Sequence, residues 1–565
     1  MLVSIAQRHV SRASRLPARL PFLGLGIRQL LLSSALLLTA GCGDNPPVQS
    51  AIDEGPTTRA PSERRNLIFV VIDTLRPDYL GSYGGSVPTP FLDGLAASGA
   101  RFVRNYSHAP MTGPSHASMF TAGLPSDHGC LVNSQSLDPA NQTLAETLSA
   151  AGYSTAGFVS LGVLRKNFGF SQGFDLYSDG FAAGWWKSAD ELNQTLGKWL
   201  PRRSTDAPTF LFLHYSDPHT PYAPPNESYP IVELRQDGER LASLPSNSRP
   251  TKITVTLQPG ANDIPMILPG GESRESLGFG RIQIKNKQIT VAFDNGDERG
   301  VLPRPGGSPS ITGMPVMLRL INSTSAPITV DALVTLRMNL GEDQWPLWYA
   351  KEVAFVDEQL AHAADALHEA GLWENSVIVF TSDHGEALGE HDHMQHVEQL
   401  YDSLLRVPLV IVAPGRIPPG SVIETPVRHV DIVPTVLELL DVPPFSETRG
   451  ISLLPLIDGD AQQRRPLVVS ETHRPEARHD QRSVVYEGYK YIINDVTNAE
   501  ELYDLRNDPG ELLNLAPSKA ALVEKLRGAL AAELLRTFGP GVTQVGWDDL
   551  SPEDRAQLEA LGYTR

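Results

Sequence analysis

The sequence predicts an α/β protein: a large, mostly parallel sheet flanked by helices, carrying an inserted β-sandwich and a small C-terminal antiparallel subdomain. Three apolar runs argue for the sheet. Leu67 to Ile72 runs into Asp73-Thr74, Phe210 to Leu213 into His214-Tyr-Ser-Asp217-Pro-His219, and Val377 to Phe380 into Thr381-Ser-Asp383-His384-Gly385. Continuous apolar runs bounded by turn residues are strands buried on both faces, as in a helix-covered parallel sheet. A change to period-two patterning between about 226 and 342 argues for the insertion. Ligands bind beyond the carboxyl ends of such parallel strands, so the three polar clusters are expected to converge on one site.

Taken in order, the chain opens with Arg8, Arg12, Arg15, Arg19 and Arg28, then a leucine-rich stretch from Leu30 to Leu38, then Thr39-Ala-Gly-Cys42. A basic segment, a short apolar segment and small residues make an export signal over 1–41, and the apolar stretch is too short to span a bilayer. Cysteine after Thr-Ala-Gly resembles the lipid-attachment site of a bacterial lipoprotein. That implies a lipid anchor at Cys42 and a place at the cell envelope, in the periplasm or at the outer membrane. Removing the five arginines takes the formal net charge from −18 to −23. So acidic a surface excludes nucleic acid as the expected partner. Cys130 is then the single thiol of the mature chain and is expected to be buried and inert. Residues 42–64, rich in Pro, Ser, Thr and charge, read as a flexible tether.

Residues 65–225 alternate strand and helix signals: the strand to Asp73, a helix near Phe91 to Ala97, a helix from Pro114, a strand at Ser154 to Ser160, and the strand from Thr209. This order indicates an α/β sheet with crossovers. Over 226–342, short alternating segments at Ile253, Ile282, Ile289, Val316 and Ile328 are separated by Pro, Gly, Asn and Asp. They read as an antiparallel sandwich serving either as a carbohydrate reader or as a structural cover. From 343 to 465 the helical period returns, with Val353, Val356, Leu360, Ala364 and Leu367 on one stripe and Gly371 as a stop. The strand to Asp383 and another at Leu409 to Ala413 follow. Over 466–565, segments at Val484, Tyr489 and Glu501 make a small antiparallel sheet, and a helix starts near Pro517. Trp185 and Trp186 fit core packing better than sugar stacking.

The chemistry concentrates at the strand ends. In Thr112-Gly-Pro-Ser-His116, Pro114 fits the first helical turn and puts Thr112 at the positive end of a helix dipole. Alone, Thr112 reads as a helix cap; a free hydroxyl is a poor nucleophile unless a divalent cation activates it. Asp73, Asp383 and His384 supply two carboxylates and an imidazole, a first shell for such a cation. His116 lies one helical turn from Thr112, and His219 and His396 sit in polar loops. Histidines of this kind can hold negative oxygens when charged or protonate a leaving alkoxide. His391 and His393 are expected to be structural, and His362 and His368 solvated.

These residues resemble the sulfatase branch of the alkaline phosphatase superfamily. The likeness rests on Asp73-Thr-Leu-Arg-Pro-Asp with Tyr83-Gly84, on Thr112-Gly-Pro-Ser-His-Ala-Ser with Thr121 and His128-Gly129, and on Asp217-Pro-His219. It continues through Thr381-Ser-Asp-His-Gly with Gly389-Glu-His, Arg406-Val-Pro-Leu, and Leu502-Tyr-Asp-Leu-Arg-Asn-Asp-Pro-Gly-Glu with Asn514. The resemblance implies an alkaline-phosphatase-like sheet and one divalent metal held by Asp73, Thr112, Asp383 and His384. Three departures stand out: threonine replaces the cysteine or serine that sulfatases convert to formylglycine, His116 replaces an arginine, and Thr74 replaces an aspartate. Threonine cannot yield the aldehyde, so no formylglycine is expected. Among Ca, Mg, Mn and Zn, the imidazole favours Mn or Zn. The expected activity is hydrolysis of a sulfate or phosphate ester of a small molecule or glycan. Thr112 acts as nucleophile, His116 and His219 hold the oxygens, and His396 protonates the leaving alcohol. Alternatives are transfer of a phospho-substituent to an envelope glycan, or a non-catalytic carbohydrate-binding relative.

Overall fold

The computed structural model describes residues 64–181, 185–268, 277–284, 286–294, 299–301, 317–338, 340–460, 467–473 and 480–536. The expected leader, Cys42 and nearly all of the tether lie outside the described residues. At the centre is a nine-stranded sheet whose main path runs Ser421–Ile423, Ala100–Tyr106, Arg406–Val412, Ser376–Ser382, Asn66–Ile72, Thr209–Tyr215, Ser154–Val159 and Leu176–Ser178, with Val427–Arg428 also on Ala100–Tyr106. All neighbours are parallel except those of Arg406–Val412, which runs against both of its partners. The mostly parallel sheet expected from the apolar runs is therefore present.

Burial explains those runs. Every residue from Leu67 to Ile72 and from Phe210 to Leu213 is buried, because layers pack on both faces of the sheet. Leu67, Phe69 and Val71 face a layer containing Phe120, Leu144 and Val433, whereas Ile68, Val70 and Ile72 face one containing Leu192, Val353 and Leu360. The pairing is in step: Ile72 lies beside Ser382 on one side and Tyr215 on the other. Asp73 and Asp383 thus leave neighbouring strands at the same level, about 4.8 Å apart in the hydrogen-bonding direction.

Four elements differ from the expectations of the sequence. The strand Ala100–Tyr106 went unread, because Arg101 and Arg104 interrupt its apolar face near the sheet edge. The strand expected from Leu409 begins at Arg406, and the helix expected from Tyr349 begins at Trp345 and runs to Glu369. The C-terminal helix is Ala520–Leu534, since Pro517 sits in a separate short turn, Ala516–Ser518.

Between Ile231 and Met338 two antiparallel sheets face each other. One holds Leu277–Ile284, Ile328–Met338 and Asn247–Leu257; the other has six strands, including Ile231–Gln236, Gly260–Ile267 and Met317–Asn322. Val255, Ile264, Leu320, Val334 and Leu336 belong to a core separate from that of the main sheet. This is the alternation of a half-buried sheet, one face in and one out. A four-stranded antiparallel sheet over Val468–Asp504 packs against the final helix through Val523, Leu526 and Leu530. Its buried Lys490 is held by Asp402 at 2.6 Å and Glu511 at 2.7 Å. Among the described residues no helix is long and apolar enough to cross a membrane.

Cys130 is fully buried in the main core, and burial pushes its thiol up to about 12. At pH 8 only about one molecule in 10⁴ then carries the reactive thiolate. Iodoacetamide at that pH is expected to leave the folded protein unlabelled at Cys130 and to label it in denaturant; mass spectrometry of the two samples checks this.

Candidate active site

The two strand-end turns are tied to each other. Thr74 donates its backbone N–H to Asp383 Oδ1 at 3.1 Å, His384 donates to the same oxygen at 2.8 Å, and Leu75 donates to Ser382 Oγ at 2.8 Å. Thr74 adopts φ +57°, a left-handed conformation that is rare for a β-branched residue. Such a backbone costs ~1–3 kcal/mol and persists only when its surroundings over-determine it. Tyr349 does much of that: its hydroxyl donates to Thr74 O at 2.7 Å and accepts from Arg76 N at 2.9 Å.

Thr112 is the first residue of the helix Thr112–Thr121, with Met111 at the cap position and no side-chain cap bond. The helix-cap alternative for Thr112 is therefore not the arrangement found. Its Oγ1 lies 3.5 Å from Asp73 Oδ2 and 3.5 Å from His384 Nε2. The next amide, Gly113 N–H, is taken by Asn133 Oδ1 at 2.7 Å. Thr112, Asp73, Asp383 and His384 are all completely buried.

Electrostatics make this a demanding site. Burial raises Asp73, and burial followed by the repulsion of Asp73 raises Asp383 to about 7. Among the described residues neither carboxylate is paired with Arg or Lys; His214, His384 and His116 lie within 4 Å of one or both, and His219 and Glu386 also act on Asp73. These imidazoles bring no charge at neutral pH, because burial holds His384 and His214 near 4 and His116 near 3. Asp73 Oδ1 and Asp383 Oδ2 are buried with no hydrogen-bond partner. His384 donates Nδ1–H to Gly385 O at 2.9 Å, which leaves the Nε2 lone pair facing the two carboxylates. A histidine fixed through one nitrogen and open at the other is the usual form of a metal ligand. Donor atoms of Asp73, Asp383 and His384 lie within 4.8 Å of one another. Orphaned carboxylate oxygens and an oriented imidazole thus fit a divalent cation.

His219 and His396 form the outer side, with 7% and 8% exposure against zero for the inner group. Their rings are 5.1 Å apart, and His396 is 4.5 Å from His384. His219 donates Nδ1–H to Thr220 O at 2.6 Å. His396 Nδ1 meets Glu386 Oε1 at 2.9 Å, and Tyr222 donates to Glu386 Oε2 at 3.1 Å. Burial raises the Glu386 carboxyl to about 7, whereas burial lowers His396 to about 3. Burial therefore disfavours charge on both members of the pair.

One expectation is corrected. His116 does lie beside Thr112, but it donates Nδ1–H to Thr112 O at 2.8 Å and is neutral, so its Nε2 is an acceptor. Such a ring cannot donate to the oxygens of an anionic ester. Asp217 accepts from Ala189 N at 2.8 Å, the first amide of the helix Ala189–Trp199. His391 stacks on Tyr401 at 3.6 Å, away from the inner group, and Trp185 packs against Phe168. Glu386 and His214 were not assigned roles from the sequence. Both stand in strand-end clusters, Glu386 directly after Asp383-His-Gly, which is the signal that could have found them.

A parallel sheet with carboxylates, imidazoles and a helix-start hydroxyl gathered beyond its strand ends defines an ester hydrolase of alkaline-phosphatase-like architecture. Comparison with known proteins agrees. The description "Sulfatase" matches residues 65–442, and "N-sulphoglucosamine sulphohydrolase, C-terminal" matches 389–537. The chain belongs to the sulfatase family. It is 24% identical over 572 residues to N-acetylglucosamine-6-O-sulfatase of Bacteroides thetaiotaomicron, covering 95% of this chain and 94% of that one. Among solved structures it is similar to the phosphonate monoester hydrolase of Agrobacterium radiobacter, with TM-score 0.55, 21% identity and coverage of 83% and 96%. A protein solved in complex with its substrate D-glucosamine-2-N,6-O-disulfate gives TM-score 0.55, 20% identity and coverage of 83% and 97%.

Asp73→Asn removes one of the two carboxylate charges while preserving shape. It is expected to weaken binding of Mn²⁺ or Zn²⁺ by more than about 100-fold, the upper end for losing even an outer-shell partner. Isothermal titration of the metal-stripped protein reads the change.

Proposed function

We propose that this chain is a metal-dependent hydrolase of sulfate or phosphate esters borne on a sugar or another small alcohol, with unmodified Thr112 as the nucleophile. The observation that carries the reading is the Thr112 hydroxyl, which points from the first turn of its helix toward Asp73 and His384. A divalent cation held by Asp73, Thr112, Asp383 and His384 supplies charge neutralisation and a lowered hydroxyl pKa when bound. The mixed oxygen and nitrogen donors favour Mn or Zn.

The chain's own groups account for the proton movements. Asp73 Oδ2, 3.5 Å from Oγ1, takes the Thr112 proton, and the freed Oγ1 attacks sulfur or phosphorus in line with the departing alcohol. In the neutral form of the pair that burial favours, protonated Glu386 donates to His396 Nδ1 and leaves Nε2–H to serve the leaving oxygen. As Nε2 gives up its proton, the Glu386 proton crosses to Nδ1, so the imidazole stays neutral throughout. Water then cleaves the threonine ester, giving its proton to Nε2 as the Nδ1 proton returns to Glu386, and Asp73 hands its proton back to the departing Thr112 Oγ1. Burial of the whole set removes competing solvent, which strengthens each of these contacts.

The choice of ester-bearing alcohol follows the relatives, of which one is named for an N-acetylglucosamine sulfate and another is solved with a glucosamine disulfate. Threonine in place of a formylglycine precursor requires cleavage by water at sulfur or phosphorus. The reading extends to location: a lipid anchor at Cys42 on the envelope, with the 42–64 segment as tether.

Purified protein assayed with Mn²⁺ or Zn²⁺ on paired aryl sulfate, phosphate monoester and phosphate diester substrates tests the proposal. Thr112→Ala is expected to lower kcat by about 10³-fold or more; turnover that survives it refutes the nucleophile. His396→Asn is expected to slow alkyl esters by about 10²–10⁴-fold. It should slow 4-nitrophenyl esters far less, since that alcohol departs without a proton. Equal losses on both substrates would remove the acid role.

A further inference from the structure

Beside the nucleophile is a second cluster, of which the proposed reaction uses only Asp383. His116 comes from the helix Thr112–Thr121, His214 from the strand Thr209–Tyr215, and Asp383 from the turn after Ser376–Ser382. All three are completely buried, and one donor atom from each lies within 4.8 Å of the others. Donors sharing a zinc-like ion sit ~2.0–2.2 Å from it, hence within about 4.4 Å of each other.

The polar atoms of this cluster have nowhere to go. His116 Nε2, both ring nitrogens of His214, and Asp383 Oδ2 are buried without hydrogen-bond partners. Native interiors rarely leave even one such atom unsatisfied, and four in a single cluster need an explanation. Packing alone does not provide it. His116 meets Phe120 and Phe212 edge-on at 6.2 and 6.0 Å, and an aromatic residue would fill that space without stranding a lone pair. The two imidazole rings are themselves 4.9 Å apart. Thr112 O fixes the His116 tautomer, as Gly385 O fixes that of His384. Both rings are thereby prepared as neutral ligands by a backbone carbonyl.

Asp383 belongs to both clusters. Its Oδ1 is occupied by the Thr74 and His384 amides, while Oδ2 faces His384 Nε2 at 3.6 Å and His116 Nδ1 at 3.6 Å. The sets Asp73–Asp383–His384 and His116–His214–Asp383 have only that residue in common. A carboxylate between two ligand sets is the arrangement by which paired ions, roughly 3.5–4 Å apart, share one site.

We propose that the chain binds a second divalent cation, Zn²⁺ or Mn²⁺, through His116, His214 and Asp383, making the centre a two-ion site bridged by Asp383. The inference rests on the reading of Asp73, Asp383 and His384 as the first ion set only in that Asp383 is shared. It gives a role to the histidine that stands where sulfatases carry arginine. A fixed positive charge is replaced there by a ligand for one.

The full chain, stripped of metal, reloaded with Zn²⁺ and desalted, is measured by inductively coupled plasma mass spectrometry. Two zinc ions per chain are expected, falling to one in His214→Gln and in His116→Gln, with circular dichroism confirming the fold of each. One ion in the unaltered protein, unchanged in His214→Gln, overturns the inference and leaves the proposed hydrolase intact. No bound ion overturns both. A second measurement needs no variant: the Mn²⁺-loaded protein is expected to give the multiline electron paramagnetic resonance spectrum of an exchange-coupled pair. The six-line spectrum of an isolated Mn²⁺ at saturation overturns the two-ion centre.

Discussion

Two carboxylates emerge side by side from a sheet buried on both faces, with no arginine or lysine paired to either among the described residues. Much of the surrounding arrangement follows from that constraint. Isolated buried carboxylates are so unfavourable that they take up a proton or a cation. The surrounding groups are organised for the cation: neutral imidazoles with fixed tautomers, a hydroxyl turned inward, and backbone amides that occupy one oxygen of Asp383 while leaving the other open. The strained Thr74 turn belongs to the same arrangement, because its amide is one of those that orient Asp383.

The sheet could be read from the sequence because its physics is local. Runs such as Leu67–Ile72 and Phe210–Leu213 have no polar face, and a segment without one must be covered on both sides. The sandwich was legible for the complementary reason, its residues alternating as one-sided strands do. Ala100–Tyr106 was not legible, since an edge-side strand with Arg101 and Arg104 has neither signature. The Arg406–Val412 strand was visible in part, but its antiparallel direction was not, because direction depends on connections rather than composition.

The candidate site divides along the same line. Asp73, Thr112, Asp383 and His384 could be nominated because each follows a strand or opens a helix, positions that sequence patterns mark. Roles were harder than membership. Whether His116 donates or accepts depends on the Thr112 carbonyl four residues back and on full burial, neither of which composition records. The Glu386 carboxyl is raised by burial beside Tyr222 and His396, which arrive from different parts of the chain. The sulfatase family match fixes the architecture, while the substitutions at positions 74, 112 and 116 are where this chain's chemistry has to be argued from its own atoms.

Tyr222 precedes the inserted sandwich and Tyr349 follows it, yet their rings meet at 5.8 Å. The chain leaves and re-enters the hydrolase body at nearly one point, and the sandwich keeps a hydrophobic core of its own. An excursion closed at its base in this way behaves as a cassette. Evolution can lengthen, shorten or exchange it without moving the tyrosines at its neck, so the accessory module and the chemistry beneath it are free to diversify at different speeds.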